Sequence, residues 1–441
     1  MGTAGEMVLP GTSDGLGAGV LKQRGLHVAL AAVLIVFVWG AWSWAQFGRT
    51  AGGPLGLFTQ TDFPAITIVS RMVSEGRGAE IYSLDAQLAG QRRLIAEGYL
   101  QLAPGEELKY PYPYAPFIAV LMSPLAGVDP VVVWAIWDLI NLVCMAWGLW
   151  YLLSTLALAR NTRLVLLLGG LTSFPFIVNL EQGQSSGVIM LAMGLGVGLL
   201  KRGRDLPAGM SLGLLALKVQ WLPFLVLALA WKRRWRALAG MTLTWCALMG
   251  VTALVSGLGW VPGYVDMLGR AQRYARELLL DPWYSHSLTG GLTALIGRGT
   301  DDVVRVANLA ALVGAGALLL WVWRGRWEPG EGRWDGAMSL TVLAAMLTNP
   351  QLNTHDLCLL ALPGALGLAY LGKVVSGEGR RAVLMWCGVL WAGYVLTALF
   401  LPQVFSLPLR ATTVVLVVLG WVLVRNLGGM GVRGRAQSIQ G

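Results

Sequence analysis

Apolar runs of about 18 to 25 residues return along this chain to its C-terminus, and each can cross the roughly 30 Å hydrocarbon core of a bilayer. Polar breaks divide them into Leu26–Phe47, Val131–Leu153, Leu164–Leu180, Ser185–Leu200, and a short pair, Pro207–Leu217 and Leu222–Trp231. Arg236–Leu258, Val303–Trp323, Gly336–Thr348, Leu357–Gly372, Ala382–Leu401 and Leu409–Val424 follow. Two further pieces, Phe117–Val128 and Leu288–Ile296, are short for a span and read as half-inserted. The pattern predicts an all-α polytopic integral membrane protein, a bundle of roughly 10–13 transmembrane helices. Between the first two runs the pattern changes. Ile66, Val69, Met72 and Val73 recur at helical spacing, as do Leu84, Leu88 and Ile95, with polar residues opposite. That predicts amphipathic helices lying in the interface. Tyr110-Pro111-Tyr112-Pro113-Tyr114-Ala115-Pro116 then stiffens the chain where it re-enters the membrane, its tyrosines suited to the headgroup level.

Composition agrees. Of 441 residues, 56% are hydrophobic and 13% charged, and the mean hydropathy is +0.62. Soluble domains carry roughly 25% charged residues. An outer-membrane barrel is excluded, because its strands alternate polar and apolar over about 10 residues. Leu26–Phe47 exceeds the 7–15 residues of a signal-peptide core and no clear small-x-small cleavage site follows, so it reads as a retained signal anchor. Cys144, Cys246, Cys358 and Cys387 stand alone in apolar stretches, without the paired spacing of metal sites, and read as small buried hydrophobes. The net charge of +10 does not signal nucleic acid, since the basic residues punctuate the ends of apolar runs and form no aromatic-interleaved patch.

Those basic clusters orient the chain. Lys22 and Arg24; Arg160 and Arg163; Lys201, Arg202 and Arg204; and Lys232 to Arg236 fall on one side, with Arg324 to Arg333, Lys373 to Arg381 and Arg425 to Arg435. Together they hold 20 of the 33 Lys and Arg residues, whereas Gly48 to Tyr112 balances six basic against seven acidic residues. The expectation is a multi-pass protein of the plasma (inner) membrane with a cytoplasmic N-terminal tail, 1–25, and a cytoplasmic C-terminal tail, 431–441. The membrane-embedded domain spans 26–430, with a first outer loop at 48–112 and a second at 259–287.

On the outer side gather the polar segments of the chain: Glu181-Gln182-Gly183-Gln184, Lys218-Val219-Gln220, Gly259 to Ser287, and Asn349 to Asp356. Glu181, Lys218, His355 and Asp356 each sit at or near a span end, where ionisable residues are costly and usually functional. Asp62 is the most informative of the acids. It opens the first outer loop, and a carboxylate just above the bilayer is a candidate general base for chemistry on a membrane-borne substrate. Arg270, Arg273 and Arg276 share one helical face, where they meet either a substrate phosphate or ordinary anionic headgroups. No phosphate-binding Gly-Lys-Ser/Thr loop or His-Glu-x-x-His is present, and nothing reads as a soluble nucleotide-binding domain.

In order along residues 26 to 430, several short motifs form a recognisable set. They are Thr61-Asp62-Phe63, Gly76 to Tyr82, Tyr112-Pro113-Tyr114-Ala115-Pro116, Ser123-Pro124-Leu125-Ala126, Gly183-Gln184, and Ala208-Gly209 through Lys218. Ser287-Leu288-Thr289-Gly290, Asn349-Pro350, His355-Asp356-Leu357 and Pro363 complete it. The set resembles the family 87 glycosyltransferases of the membrane-embedded GT-C superfamily, which use polyprenyl-phosphate sugars and include bacterial mannosyltransferases. Two departures stand out: His286 where that motif often has Asn, and a single His355 where the late motif often has paired His or an aromatic.

The resemblance implies a GT-C-like bundle that moves a mannose, or another hexose or pentose, from a polyprenyl-phosphate carrier to an acceptor hydroxyl. The acceptor is a lipid or glycan at the outer face, and the anomeric centre inverts. Asp62 is then the general base. Lys218 and one or more of Arg270, Arg273 and Arg276 neutralise phosphate charge. His355 binds phosphate or orients the acceptor, Asp356 fixes its tautomer or caps a helix, and Gln184, Glu181 and His286 complete the substrate contacts. No cofactor is expected, the lipid-linked donor being a substrate. No metal is expected either, since no outer acidic cluster offers the oxygen ligands a divalent ion requires. The competing expectation is a transporter or flippase of lipid-linked sugars; it calls for internal repeats and charges deep within the spans. No repeat is evident, and Asp138 is the main mid-span charge.

Overall fold

The computed structural model describes residues 58–59, 61–101, 110–273, 285–296, 301–374 and 411–437. Over them the chain is all-α, with no strand. The expected spans Leu26–Phe47 and Ala382–Leu401 lie outside the described residues, as do Arg276 and Cys387. Helices α1 (Phe63–Ser74), α2 (Leu84–Ala96) and the short α3 (Phe117–Met122) form a cap. The bundle begins with α4 (Pro130–Ser154), α5 (Arg160–Leu171), α6 (Phe174–Glu181), α7 (Ser186–Lys201) and α8 (Asp205–Gly213). It continues with α9 (Pro223–Trp231), α10 (Trp235–Ser256), α11 (Trp260–Arg273), α12 (Leu288–Ile296) and α13 (Asp301–Val322). Helices α14 (Gly332–Thr348), α15 (Ala361–Val374) and α16 (Ala411–Gln437) complete it.

Among the described residues, five segments are long and apolar enough to cross a membrane: 130–154, 160–181, 235–256, 302–322 and 354–373. Several expected spans are shorter or interrupted, one of these five among them. The expected run Leu164–Leu180 is two helices, because Pro175 at the start of α6 has no N–H to continue the ladder from α5. The pair Pro207–Leu217 and Leu222–Trp231 is α8 and α9 with a 3-10 segment, Leu214–Trp221, between them. Helix α14 is buried along nearly its whole length, so it is a central element wrapped by other helices.

Backbone contact holds the bundle together where apolar burial gives no advantage over lipid. Gly148 of α4 and Gly194 of α7 face each other so closely that a Cβ on Gly194 would lie 2.2 Å from the Gly148 carbonyl oxygen. Gly240 of α10 packs on α8 the same way, an added Cβ meeting Leu206 O at 2.2 Å. The α4 helix starts where Asp129 accepts from the Val131 and Val132 amides, with Pro130 in the first turn.

The cap departs from the interfacial expectation. Helix α1 is buried on nearly all sides, including Thr67 and Ser70, because α3 and α4 cover the face expected to meet headgroups. Helix α2 buries Ala86, Gln87, Gln91 and Leu94 and leaves Ile95 exposed, so its inward face is rotated from the Leu84–Leu88–Ile95 stripe. Gln87 explains the rotation: its amide donates to Ile81 O at 2.6 Å and accepts from Tyr112 N at 3.1 Å, fixing the Tyr-Pro segment. Two apolar cores result. One joins α1–α3 to the start of α4, and the other runs through α4, α7–α10, α14 and α15.

Candidate active site

Where the cap meets the bundle, helix breaks carry polar side chains toward one another. Asp62 is the residue before α1, and its amide donates to Gln182 O at 3.2 Å. Gln182 and Gln184 lie in the turn between α6 and α7, either side of Gly183. That glycine has φ +63°, and a Cβ on it would meet Phe63 Cβ at 2.9 Å. Glycine is therefore required both for the left-handed backbone and for the approach to the Asp62 segment. Trp137 of α4 locks the turn by donating from its indole N–H to Gly183 O at 2.9 Å.

The two glutamines point to the two halves of the site. Gln184 Nε2 donates to Asp62 Oδ2 at 2.5 Å and to Tyr114 Oη at 3.0 Å. Gln182 Oε1 lies 3.0 Å from His355 Nδ1 and accepts its hydrogen. His355 and Asp356 belong to a 3-10 segment, Thr354–Leu360, between α14 and α15. Lys218 stands in the other 3-10 segment, its backbone non-helical at φ −139°, ψ 80°. Its ammonium donates to Asp356 Oδ1 at 2.8 Å, an oxygen that also accepts from Ser186 Oγ at 2.9 Å. His355 Nε2 lies 3.5 Å from both Lys218 Nζ and Asp356 Oδ2, which leaves it without a short hydrogen bond.

Burial separates the roles. Lys218, His355, Asp356 and Gln184 are all buried, whereas Asp62 is exposed. Even so, protein rather than water fills most of the space around its carboxyl. This desolvation raises the Asp62 pKa above the ordinary carboxylate value, with the Gln184 hydrogen bond and the Lys218 charge pulling partly the other way. The result is an accessible carboxylate of increased basicity beside a buried cation. That combination can take a proton from an incoming hydroxyl and hold an anion near by. Burial likewise raises the Tyr114 hydroxyl, whose proton is retained at neutral pH.

The remaining candidates fall at different places. His286 is buried and adjoins the late segment, its Nε2 3.1 Å from Thr354 Oγ1 and its amide donating to Leu352 O at 2.7 Å. Glu181 is half-buried, and its Oε1 has no hydrogen-bond partner, so it is not drawn into the network. Arg270 and Arg273 lie in the last turns of α11, with side chains outside the described residues, as is Arg276 entirely. Asp356 engages Lys218 and Ser186, and it is Gln182 that holds His355 Nδ1. Gln182, Ser186 and Tyr114 are site residues that the apolar pattern alone does not distinguish. Gln182 had a signal, a second amide two positions from Gln184 in a polar turn between apolar runs; a lone Ser186 had none. Among the described residues no group of three or more His, Cys, Asp or Glu side chains is placed to hold a metal ion.

A family model, Glycosyltransferase family 87, matches residues 112–363, more than half of the chain. The matched stretch takes in Tyr114, Gln184, Lys218, His286, His355 and Asp356 and begins beyond Asp62. No curated protein and no solved structure matches the chain.

Proposed function

Because the chain belongs to glycosyltransferase family 87 and is thus a membrane glycosyltransferase, we propose that it transfers a hexose or pentose from a polyprenyl-phosphate carrier to a lipid or glycan hydroxyl. The observation that carries this reading is the single network joining accessible Asp62, through Gln184 and its neighbouring turn, to buried Lys218, His355 and Asp356. Asp62 accepts the acceptor's hydroxyl proton. The freed oxygen attacks the anomeric carbon from the side opposite the phosphate, and the carbon–oxygen bond to phosphate breaks. The leaving polyprenyl phosphate takes the electron pair, so one displacement inverts the centre. Lys218 has a third N–H beyond its bond to Asp356 and its approach to His355, and it offsets the charge that develops on the leaving phosphate. His355 Nε2 orients the phosphate or the acceptor. Gln184 and Tyr114 aim Asp62. In this reading the site faces the outer leaflet of the plasma membrane, an orientation that the basic clusters at the other end support. One or more of Arg270, Arg273 and Arg276 helps neutralise the donor's phosphate.

The test uses membranes containing the wild-type chain, supplied with labelled polyprenyl-phosphate mannose or polyprenyl-phosphate glucose. Incorporation into lipid or polymer with inverted anomeric configuration supports the reading and identifies the donor. Product of retained configuration, or transfer only from a nucleotide sugar, contradicts it.

A further inference from the structure

At the end of the bundle remote from Asp62, the helices enclose a cavity of about 200 Å³ lined by Thr155, Lys201, Arg202, Gly330, Asp335 and Lys373, among others. The 16 residues of α7 separate it from the polar network, Ser186 at one end and Lys201 at the other. That is about 24 Å of helix. Water occupies about 30 Å³ per molecule, so the cavity has room for a phosphate group.

Its floor is a built structure. The Lys201 side chain, 7% exposed, pairs with Asp335, 1% exposed. Lys201 also donates to Pro329 O at 3.0 Å and lies 5.1 Å from the centre of the Trp334 ring. Trp334 is wedged edge-on against Trp323 and Trp327. The Asp335 charge is thus met by Lys201. Arg202 and Lys373 are exposed at the mouth and form no direct ion pair with a carboxylate among the described residues, although the Lys373 charge also acts on Asp335. Arg202 is held in place, its guanidinium 4.5 Å over the Tyr151 ring and donating to Ser154 Oγ at 3.0 Å. Lys373 makes one long contact, 3.4 Å to Gly330 O. A planted guanidinium and an ammonium with one long hydrogen bond, both lining one cavity, match the oxygens of a phosphate.

We propose that this cavity binds a phosphate group, supplied by the headgroup of an anionic phospholipid or by free phosphate, at the membrane face opposite Asp62. Basic pockets between transmembrane helices on the cytoplasmic side suit anionic headgroups. Basic residues at helix ends also balance helix dipoles, and the test must separate the two roles.

The full chain, purified in neutral detergent, is titrated with phosphatidylglycerol or phosphatidylcholine, and bound lipid is counted by native mass spectrometry. In a second arm, inorganic phosphate is compared with chloride at equal ionic strength for protection against thermal unfolding. The variants are Arg202→Gln with Lys373→Gln, and a control of equal charge change outside the cavity, Arg204→Gln with Arg236→Gln. The expected result is a preference for phosphatidylglycerol that falls about 30-fold in the first pair and persists in the control. Where Arg202→Gln impairs folding, Lys373→Gln alone is expected to lose about fivefold. Protection by phosphate, lost in the cavity pair and without lipid preference, identifies the soluble source instead. Equal behaviour of wild type and the cavity variants in both arms, or an equal loss in the control, overturns the proposal.

Discussion

At the scale of single residues, the proposed chemistry turns on how Asp62 is held. Desolvation raises its pKa, and a base must be ionised to work, so with Asp62 as the proposed base the acid limb of kcat/KM is expected above the ordinary Asp value of about 3.9. The Gln184 hydrogen bond opposes that rise. Gln184→Ala is therefore expected to move the limb to higher pH as well as lowering the rate; a limb that moves down or stays put counts against this arrangement. The same shift has a stability consequence. A raised carboxyl favours the folded state below its ordinary pKa, and that contribution is lost as pH rises through the folded value. Asp62→Asn, which keeps the neutral form at every pH, should accordingly leave the thermal midpoint unchanged or raise it. Gly183→Ala meets both the φ +63° backbone and Phe63, and is expected to reduce expression or activity through displacement of Gln182 and Gln184. Part of the candidate site is legible in the sequence. Asp62, Lys218, His355 and Asp356 stand out because an ionisable group near lipid is costly to keep. Gln182, Ser186 and Tyr114 carry no such cost, so only their three-dimensional contacts distinguish them.

At the scale of elements, the site depends on interrupted helices and on close helix contacts. Lys218 and His355 both stand in 3-10 segments, where the backbone departs from the α-helical path and turns their side chains inward. Hydrophobic periodicity showed that these stretches were short but not how they break, since a run of apolar residues looks alike whether continuous or kinked. The inward face of α2 departs from its apolar stripe for a related reason. Gln87 and Gln91 point inward because they bond to backbone or are enclosed there, and polarity alone assigned them outward. The α4–α7 contact makes a direct prediction. Gly194→Val places side-chain atoms against the Gly148 backbone and should destabilise the fold by about 1–3 kcal/mol or more, whereas Gly250→Val, where nothing lies within 4 Å, should be far milder. Thermal unfolding of the two variants in one detergent compares them.

At the scale of the whole molecule, buried ion pairs stand at both ends of the bundle: Lys218–Asp356 near Asp62 and Lys201–Asp335 at the other end. Removing one partner of such a pair leaves a buried charge and costs about 3–5 kcal/mol, while replacing both can be nearly neutral. Lys218→Met is thus expected to destabilise strongly, and Lys218→Met with Asp356→Leu to recover folding without recovering transfer. Recovery of both would show that the pair is structural only. The apolar runs announced a multi-pass helical protein, and the ordered motifs suggested its family; the meeting of Asp62 with Gln184 across 122 positions was visible only in three dimensions. The most direct measurement is turnover of purified, folded Asp62→Asn against wild type, with donor binding determined in parallel. Asp62 as the general base predicts a fall of about 10² or more in kcat with donor affinity retained. Near-normal turnover in the folded variant would contradict it.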